Sequence, residues 1–366
     1  MTTDNKKAPA SSRRLLSLDV LRGITIVGMI IVNNGAGPES FESLCHSRWN
    51  GLTPCDLVFP FFLFIMGVTT YLSMSRINFT PSAHTVGKIL KRAILIILVG
   101  WAIHYFELVC KATPWAFSDL RLTGVLPRIG LCFGLTALLS LCVSFRWMVR
   151  IAVGLLVAYA IMLLALNGYV YDESNFNNII DRWAFGTGHL YHRPPIDPEG
   201  LAGTLAALAH TIIGFCCGKL LKQKSPLNER TLRLSVIGFM LMAAGMLLSE
   251  WLPLNKRLWS PTFVLATTGL AAMLLATLIY FIDIRGYRRW TNFFEAFGVN
   301  PLFLYVLSEV TAIALSHFGN IDAIYEGFHA VFPDPRMASA AYAVSFMLLM
   351  GAVGWPLYKR RIYLKL

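Results

Sequence analysis

The sequence predicts an all-α, polytopic membrane protein of about ten transmembrane helices with both termini cytoplasmic, and three observations predict it. Of its 366 residues, 56% are hydrophobic and 14% charged, whereas a soluble domain carries about 25% charged residues. Apolar runs of roughly 20 residues, the length that crosses a bilayer core, recur along the chain, and its mean hydropathy is +0.58. Lys and Arg gather in alternate connections, as a positive-inside bias requires.

In order, the apolar runs fall at about 15–34, 57–75, 88–108, 124–145, 148–169, 201–221, 232–252, 258–282, 292–316 and 337–358. The third and ninth carry polar breaks, the ninth at Asn300-Pro301. Residues 1–14 read as a mobile cytoplasmic tail and 15–366 as a single transmembrane domain. The tail leads straight into the first span without a small-residue cleavage pattern, so no cleaved signal peptide is expected. With the N-terminus inside, most of the 32 Lys and Arg, among them Arg76, Lys88, Lys91, Arg92, Lys219, Lys222 and Arg285, fall on the inner side. The net charge of +12 then orients the chain in the membrane, which removes the reason to expect a nucleic-acid partner. Acidic residues such as Glu39, Asp56, Asp197 and Glu326 fall outside, which suits a cationic or hydroxyl-rich ligand arriving there. The longest connection, about 170–200, is outer; its Trp183, His189, Tyr191 and His192 suggest an ordered lid.

Chemistry-bearing residues cluster where the second span begins. The stretch 46–67 changes abruptly from His46, Arg48, Trp49, Asn50 and Asp56 to a phenylalanine-rich helix. Titratable groups at a bilayer entrance are costly and by default functional; an interfacial loop with anchoring aromatics is the plainer alternative. His46 could act as base, shuttle or nucleophile near neutral pH, with Asp56 orienting its second nitrogen. Asn33 and Asn34 end the first span, either as a helix cap or as an amide donor to a developing oxyanion. Asp19 and Arg22 share one helix face and are expected to form an ion pair that fixes packing. Arg128, inside a span, needs an anionic partner from protein or from ligand phosphate. His210 and Glu309 could face the same interior or be packing residues. The seven cysteines show no metal-site spacing, so no metal is expected; Cys45 and Cys55 bracket the His46 loop, and a disulfide between them stays open.

Leu-Asp-Val-Leu-Arg-Gly (18–23), Val-Asn (32–33), the block 46–67 and Gly-Val-Leu-Pro-Arg-Ile-Gly (124–130) form an ordered set with three later segments. These are Asp-Pro-Glu-Gly-Leu-Ala-Gly-Thr-Leu (197–205), Asn-Lys-Arg-Leu-Trp-Ser (255–260) and Gly-Val-Asn-Pro-Leu (298–302). The set resembles the heparan-α-glucosaminide N-acetyltransferase family, in the form of a compact bacterial member without the luminal domain of the lysosomal one. The resemblance implies acetyl-CoA as cytosolic co-substrate and a glucosamine-type amine as acceptor on the periplasmic side of an inner membrane. It places the family's active-site histidine on His46 and its helix-end asparagine on Asn33, with the spacing lengthened here around Pro38 and Glu39. Arg92 and Arg128 fall on arginine positions of the family and become acetyl-CoA-binding candidates. Lys88 and Lys91, beside Arg92, could hold phosphates, and Trp49, Asn50 and Glu309 are candidates for sugar binding. Membrane lipid and a second copy of the chain are the remaining expected partners. Sugar O-acetylation and a non-catalytic sugar permease are the alternatives; only an acetyltransferase should be stabilised by CoA.

Overall fold

The computed structural model describes residues 15–113, 115–191, 195–319 and 321–364. The tail 1–14 and His192 of the 170–200 connection lie outside these residues. Among them the chain is helical, without strands. The helices are α1 (Leu16–Asn33), α2 (Val58–Met74), α3 (Ala83–Cys110), α4 (Val125–Cys142), α5 (Phe145–Ala165), α6 (Phe176–Phe185), α7 (Leu201–Leu221) and α8 (Leu227–Leu248). They continue with α9 (Pro261–Leu278), α10 (Thr291–Val299), α11 (Pro301–Phe318), α12 (Ile321–Val331) and α13 (Pro335–Lys359). Ten segments are long and apolar enough to cross a bilayer; α6, α10 and α12 are not among them. A 3₁₀ turn, Pro54–Leu57, leads into α2, and α9 runs on through a π-helical turn, Ile279–Ile284.

Burial separates the centre from the rim. The spanning windows of α7 and α9 are 72% buried, against 22% for α5 and α8 and 17% for α11, so the last three turn most of their surface outward. Lipid supplies no hydrophobic drive between helices, and close approach through small residues takes its place. A Cβ at Gly67 of α2 would lie 2.1 Å from the Thr211 carbonyl oxygen, and one at Gly214 of α7 would lie 2.4 Å from that of Phe64. Gly23 of α1 and Gly298 of α10 interlock in the same way, at 1.8 and 2.0 Å from backbone oxygens of Phe294 and Asp19.

Two expected details change. The third span has no break, because Lys88, Lys91 and Arg92 sit on its first turns, where charged side chains reach out of the apolar zone. The ninth is not one interrupted helix. Asn300 takes φ −124 and ψ 56, ending α10, and Pro301 starts α11, as suits a residue with no amide hydrogen to leave unpaired. Only α11 is long enough to span. The expected Asp19–Arg22 pair forms at 3.2 Å, and Arg22 also donates to the Gly298 carbonyl at 3.3 Å. His210 is a buried packing residue, its ring 6.1 Å from that of Trp259.

Candidate active site

Asp56 is the fixed point of the site. Its side chain is wholly buried, and it closes a capping box at the start of the 3₁₀ turn, a reciprocal arrangement that satisfies otherwise orphaned amides. Oδ2 accepts from the Thr53 amide at 3.1 Å, the Thr53 hydroxyl at 3.0 Å and the Ser47 amide at 3.2 Å. That leaves Oδ1, which meets His46 Nδ1 at 2.9 Å. A carboxylate only accepts, so Nδ1 carries the proton and Nε2 presents its lone pair. The His46 side chain is 47% exposed. A half-open imidazole is thus held in one tautomer by a carboxylate that the helix start itself immobilises.

The third member comes from 210 residues further on. Lys256 Nζ lies 2.9 Å from both ring nitrogens of His46 and 3.8 Å from Asp56 Oδ1. Its side chain is only 12% exposed. Burial lowers the Lys256 ammonium below lysine's ordinary range, with Asp56 opposing that fall. Cys55 Sγ approaches His46 Nδ1 at 3.0 Å, and Cys45 and Cys55 are not joined to each other.

The loop that carries Lys256 is built to hold it there. Asn255 takes an amide hydrogen from Leu258 at 2.9 Å and gives its own amide to Ser260 at 3.0 Å. Trp259, fully buried, has the left-handed φ of 56, rare for a bulky residue and maintained only where surroundings enforce it. The His46 loop docks on this turn: Gly51 N donates to Leu254 O at 2.8 Å, and Asn255 Nδ2 to Asn50 Oδ1 at 3.1 Å. Trp49 donates to Tyr169 O at 3.1 Å and lies 4.6 Å from the Tyr171 ring. Trp49 and Asn50 therefore brace the loop on which His46 stands.

Arg128 lies beneath the same turn. It is 1% exposed, its Nη2 donates to Gly200 O at 2.9 Å, and its guanidinium sits 5.2 Å from the Trp259 ring centroid. Nε and Nη1 are buried without a protein partner, donors that fit an anion or a polarised carbonyl oxygen. Lys88, Lys91 and Arg92 lie towards the start of α3 and Arg128 in the first turn of α4, whose Gly130 packs on Ala93 and Ile97 of α3. Lys88 and Lys91 are exposed, and Arg92 lays its guanidinium 4.7 Å over Phe133.

Asn33 ends α1 exposed and donates to Glu309 Oε1 of α11 at 3.1 Å; its neighbour Asn34 turns back to Ile30 O at 2.7 Å. Asn33 and Glu309 thus form one unit, and His46, Asp56 and Lys256 another. Between α1, α2, α4 and α11 lies a narrow apolar crevice lined by Met29, Phe62, Leu126, Ile129, Leu302 and Tyr305 among others. Arg48 is exposed.

A second polar cluster closes the long connection between α5 and α7. Arg121 Nη2 bridges Asp197 at 2.8 Å and Glu199 at 2.7 Å, and its guanidinium covers the Tyr191 ring. Asp197 also accepts from the Thr123 hydroxyl and the Tyr191 and Glu199 amides. Burial alone would raise the Asp197 carboxyl, but Arg121 and these hydrogen bonds hold it below its ordinary value.

Comparison with known proteins bears on this arrangement. A sequence model of the family described as heparan-alpha-glucosaminide N-acetyltransferase, catalytic, matches residues 14–190. The human heparan-alpha-glucosaminide N-acetyltransferase is 30% identical over 358 residues, covering 81% of this chain and 53% of the human one. The mouse protein of the same name is 28% identical over 362 residues, covering 82% and 54%.

By sequence, the first half of the chain resembles this family's catalytic region.

It spans about half the length of the curated relatives it matches. The matched region 14–190 contains Asn33, His46, Asp56, Arg92 and Arg128 but ends before Lys256 and Glu309. Lys256 entered the sequence reading only as part of the 255–260 segment. No local signal could single it out, because its importance lies in a contact across 210 residues.

Proposed function

We propose that the protein is a transmembrane acetyltransferase that moves the acetyl group of acetyl-CoA to the amine of a glucosamine-type sugar at the periplasmic face of an inner membrane. The observation that carries this reading is the half-exposed His46 ring, fixed through Nδ1 by a buried carboxylate and with the Lys256 amine 2.9 Å from its other nitrogen. That is the geometry of an oriented general base. His46 takes the proton that the acceptor amine loses as it adds to the thioester carbonyl, and Asp56 stabilises the imidazolium. Transfer is direct, since one oriented base suffices.

Two features support acetyl-CoA as donor. Lys88, Lys91 and Arg92 give the inner end of α3 the positive charge that phosphates require, and Arg128 offers two unpartnered buried donors nearer the base. Asn33, at the outer end of α1, can donate to the carbonyl oxygen that becomes negative once it leaves Glu309. Glu309 then offers a carboxylate to the sugar's ammonium or hydroxyls.

Proteoliposomes test the reading. Radiolabelled acetyl-CoA is placed on the side of Lys88 and glucosamine on the side of His46. Labelled acetylated sugar should appear while the CoA stays on its own side. Sugar that crosses unmodified, with no thermal stabilisation by CoA, would replace the acetyltransferase with a permease.

A further inference from the structure

Lys256 stands beside the place an acceptor would take. A free sugar amine must bring its nitrogen within hydrogen-bond reach of His46 Nε2, and Lys256 already holds a primary amine 2.9 Å from that atom and equally 2.9 Å from Nδ1, against the ring rather than along the Nε2 lone pair. The side chain is not a loose arm, for the 252–260 turn is pinned by Asn255, Ser260 and the docked Asn50 loop. Its neighbour Arg257 points elsewhere, donating to the Tyr171 hydroxyl at 2.7 Å. Chemically, a lysine ε-amine and a glucosamine 2-amine are the same functional group.

We propose that Lys256 is an internal acceptor: with acetyl-CoA bound and no sugar present, its ε-amine takes the acetyl group and the site switches itself off. The inference rests on the acetyltransferase reading above. The ammonium first loses one proton to solvent. The neutral nitrogen then adds to the thioester carbonyl carbon, the carbon–sulfur bond breaks, and CoA leaves as thiolate. His46 Nε2 takes the second proton from that nitrogen and passes it to the thiolate. The products are Nε-acetyl-lysine, CoA thiol and one released proton. Burial of Lys256, which favours its neutral form, assists the first step.

Two consequences separate this step from ordinary lysine chemistry. It depends on His46, and it competes with the sugar. The resulting amide is uncharged, has lost the cation beside Asp56 and lies across Nε2, so the base can no longer reach an acceptor. Lys88 and Lys91, exposed at the start of α3, lie outside the His46 cluster and serve as internal controls for spontaneous acetylation.

The test incubates the purified full chain with acetyl-CoA alone, followed by intact mass and peptide mapping, with sugar turnover measured on the same preparation. Expected is one acetyl group on Lys256, formed at least tenfold faster than on Lys88 or Lys91. Glucosamine should suppress it, and it should be absent in His46→Ala and in Lys256→Arg. Activity towards sugar should fall as Lys256 fills, while Lys256→Arg should show no such time-dependent loss. A preparation that acetylates sugar while Lys256 stays unmodified overturns the inference and leaves the acetyltransferase reading standing. Label spread equally over Lys88, Lys91 and Lys256 overturns it too. If neither sugar nor Lys256 is acetylated, both fall.

Discussion

Two polar clusters sit at the same end of the helix bundle and use the same kinds of residue, yet they differ in what they leave open. Around Arg121, one guanidinium meets two carboxylates, a threonine and a tyrosine ring, and Asp197 accepts from four groups. Around His46, the carboxylate is equally saturated, but the imidazole is half exposed and its second nitrogen is met by a lysine amine rather than by a carboxylate or backbone group. Saturation marks a cluster that holds the chain together. A saturated support beneath a half-exposed titratable ring marks a cluster that can react.

The contrast can be broken most sharply by removing each centre in turn. His46→Ala is expected to lower acetyl transfer by about 10²–10⁴-fold, the usual contribution of a positioned base, with little change in thermal unfolding. Arg121→Ala should do the opposite. It strands two buried carboxylates, a loss of about 3–5 kcal/mol, visible as a large drop in melting temperature at saturating glycerol-free detergent conditions. If the two variants exchanged phenotypes, the assignment of one cluster to chemistry and the other to structure would be reversed.

A second contrast lies in pH. Burial foremost, with the nearby Asp197 charge adding, raises the Asp181 carboxyl to about 7, against the pull of the Leu201 amide and Arg128. The folded chain therefore keeps a proton that the unfolded chain loses near its ordinary carboxylate value. This group's contribution is full below about pH 4 and declines as the pH rises towards about 7. Asp197 has the opposite sign: its contribution is present at neutral pH and is lost as acid protonates it. Asp181→Asn should make unfolding less sensitive to pH between about 5 and 8 and raise stability at the upper end. A variant whose profile matches the wild type would remove Asp181 from this account.

The support of the reactive carboxylate gives the smallest effect. Thr53→Ala deletes one side of the capping box and should cost about 0.5–2 kcal/mol of stability. Because the same threonine steadies Asp56, transfer activity should fall several-fold, and Thr53→Ser should restore both. Loss of stability with unchanged turnover would show that Asp56 needs no such anchor.

Most of this fold was legible from composition. All ten expected spans have counterparts, since bilayer thickness sets their length regardless of packing. What was not legible is what packing decides. Nothing local distinguishes α6 or α12, both short and amphipathic, from loop. The splitting of α10 from α11 was foreshadowed by Asn300-Pro301, but that α10 does not span depends on its fit through Gly298 against α1. At the site, His46 and Asp56 are close in sequence and were paired correctly from spacing. Asn33 donates to Glu309, itself a candidate from another helix, a contact that no spacing foretold. Arg128 was grouped with Arg92, which lies over Phe133, five residues along α4 from Arg128. Lys256 depended wholly on tertiary structure.

The central claim is that His46 performs the proton transfer in acetyl-CoA-dependent acetylation. Its most direct measurement compares wild type and His46→Ala in detergent, with radiolabelled acetyl-CoA, glucosamine and a parallel thermal-shift assay for CoA. The account predicts that CoA stabilises both proteins, by about 2.7 kcal/mol at a hundredfold excess over Kd, and that only the wild type labels the sugar. A His46→Ala protein that acetylates glucosamine at the wild-type rate would contradict it.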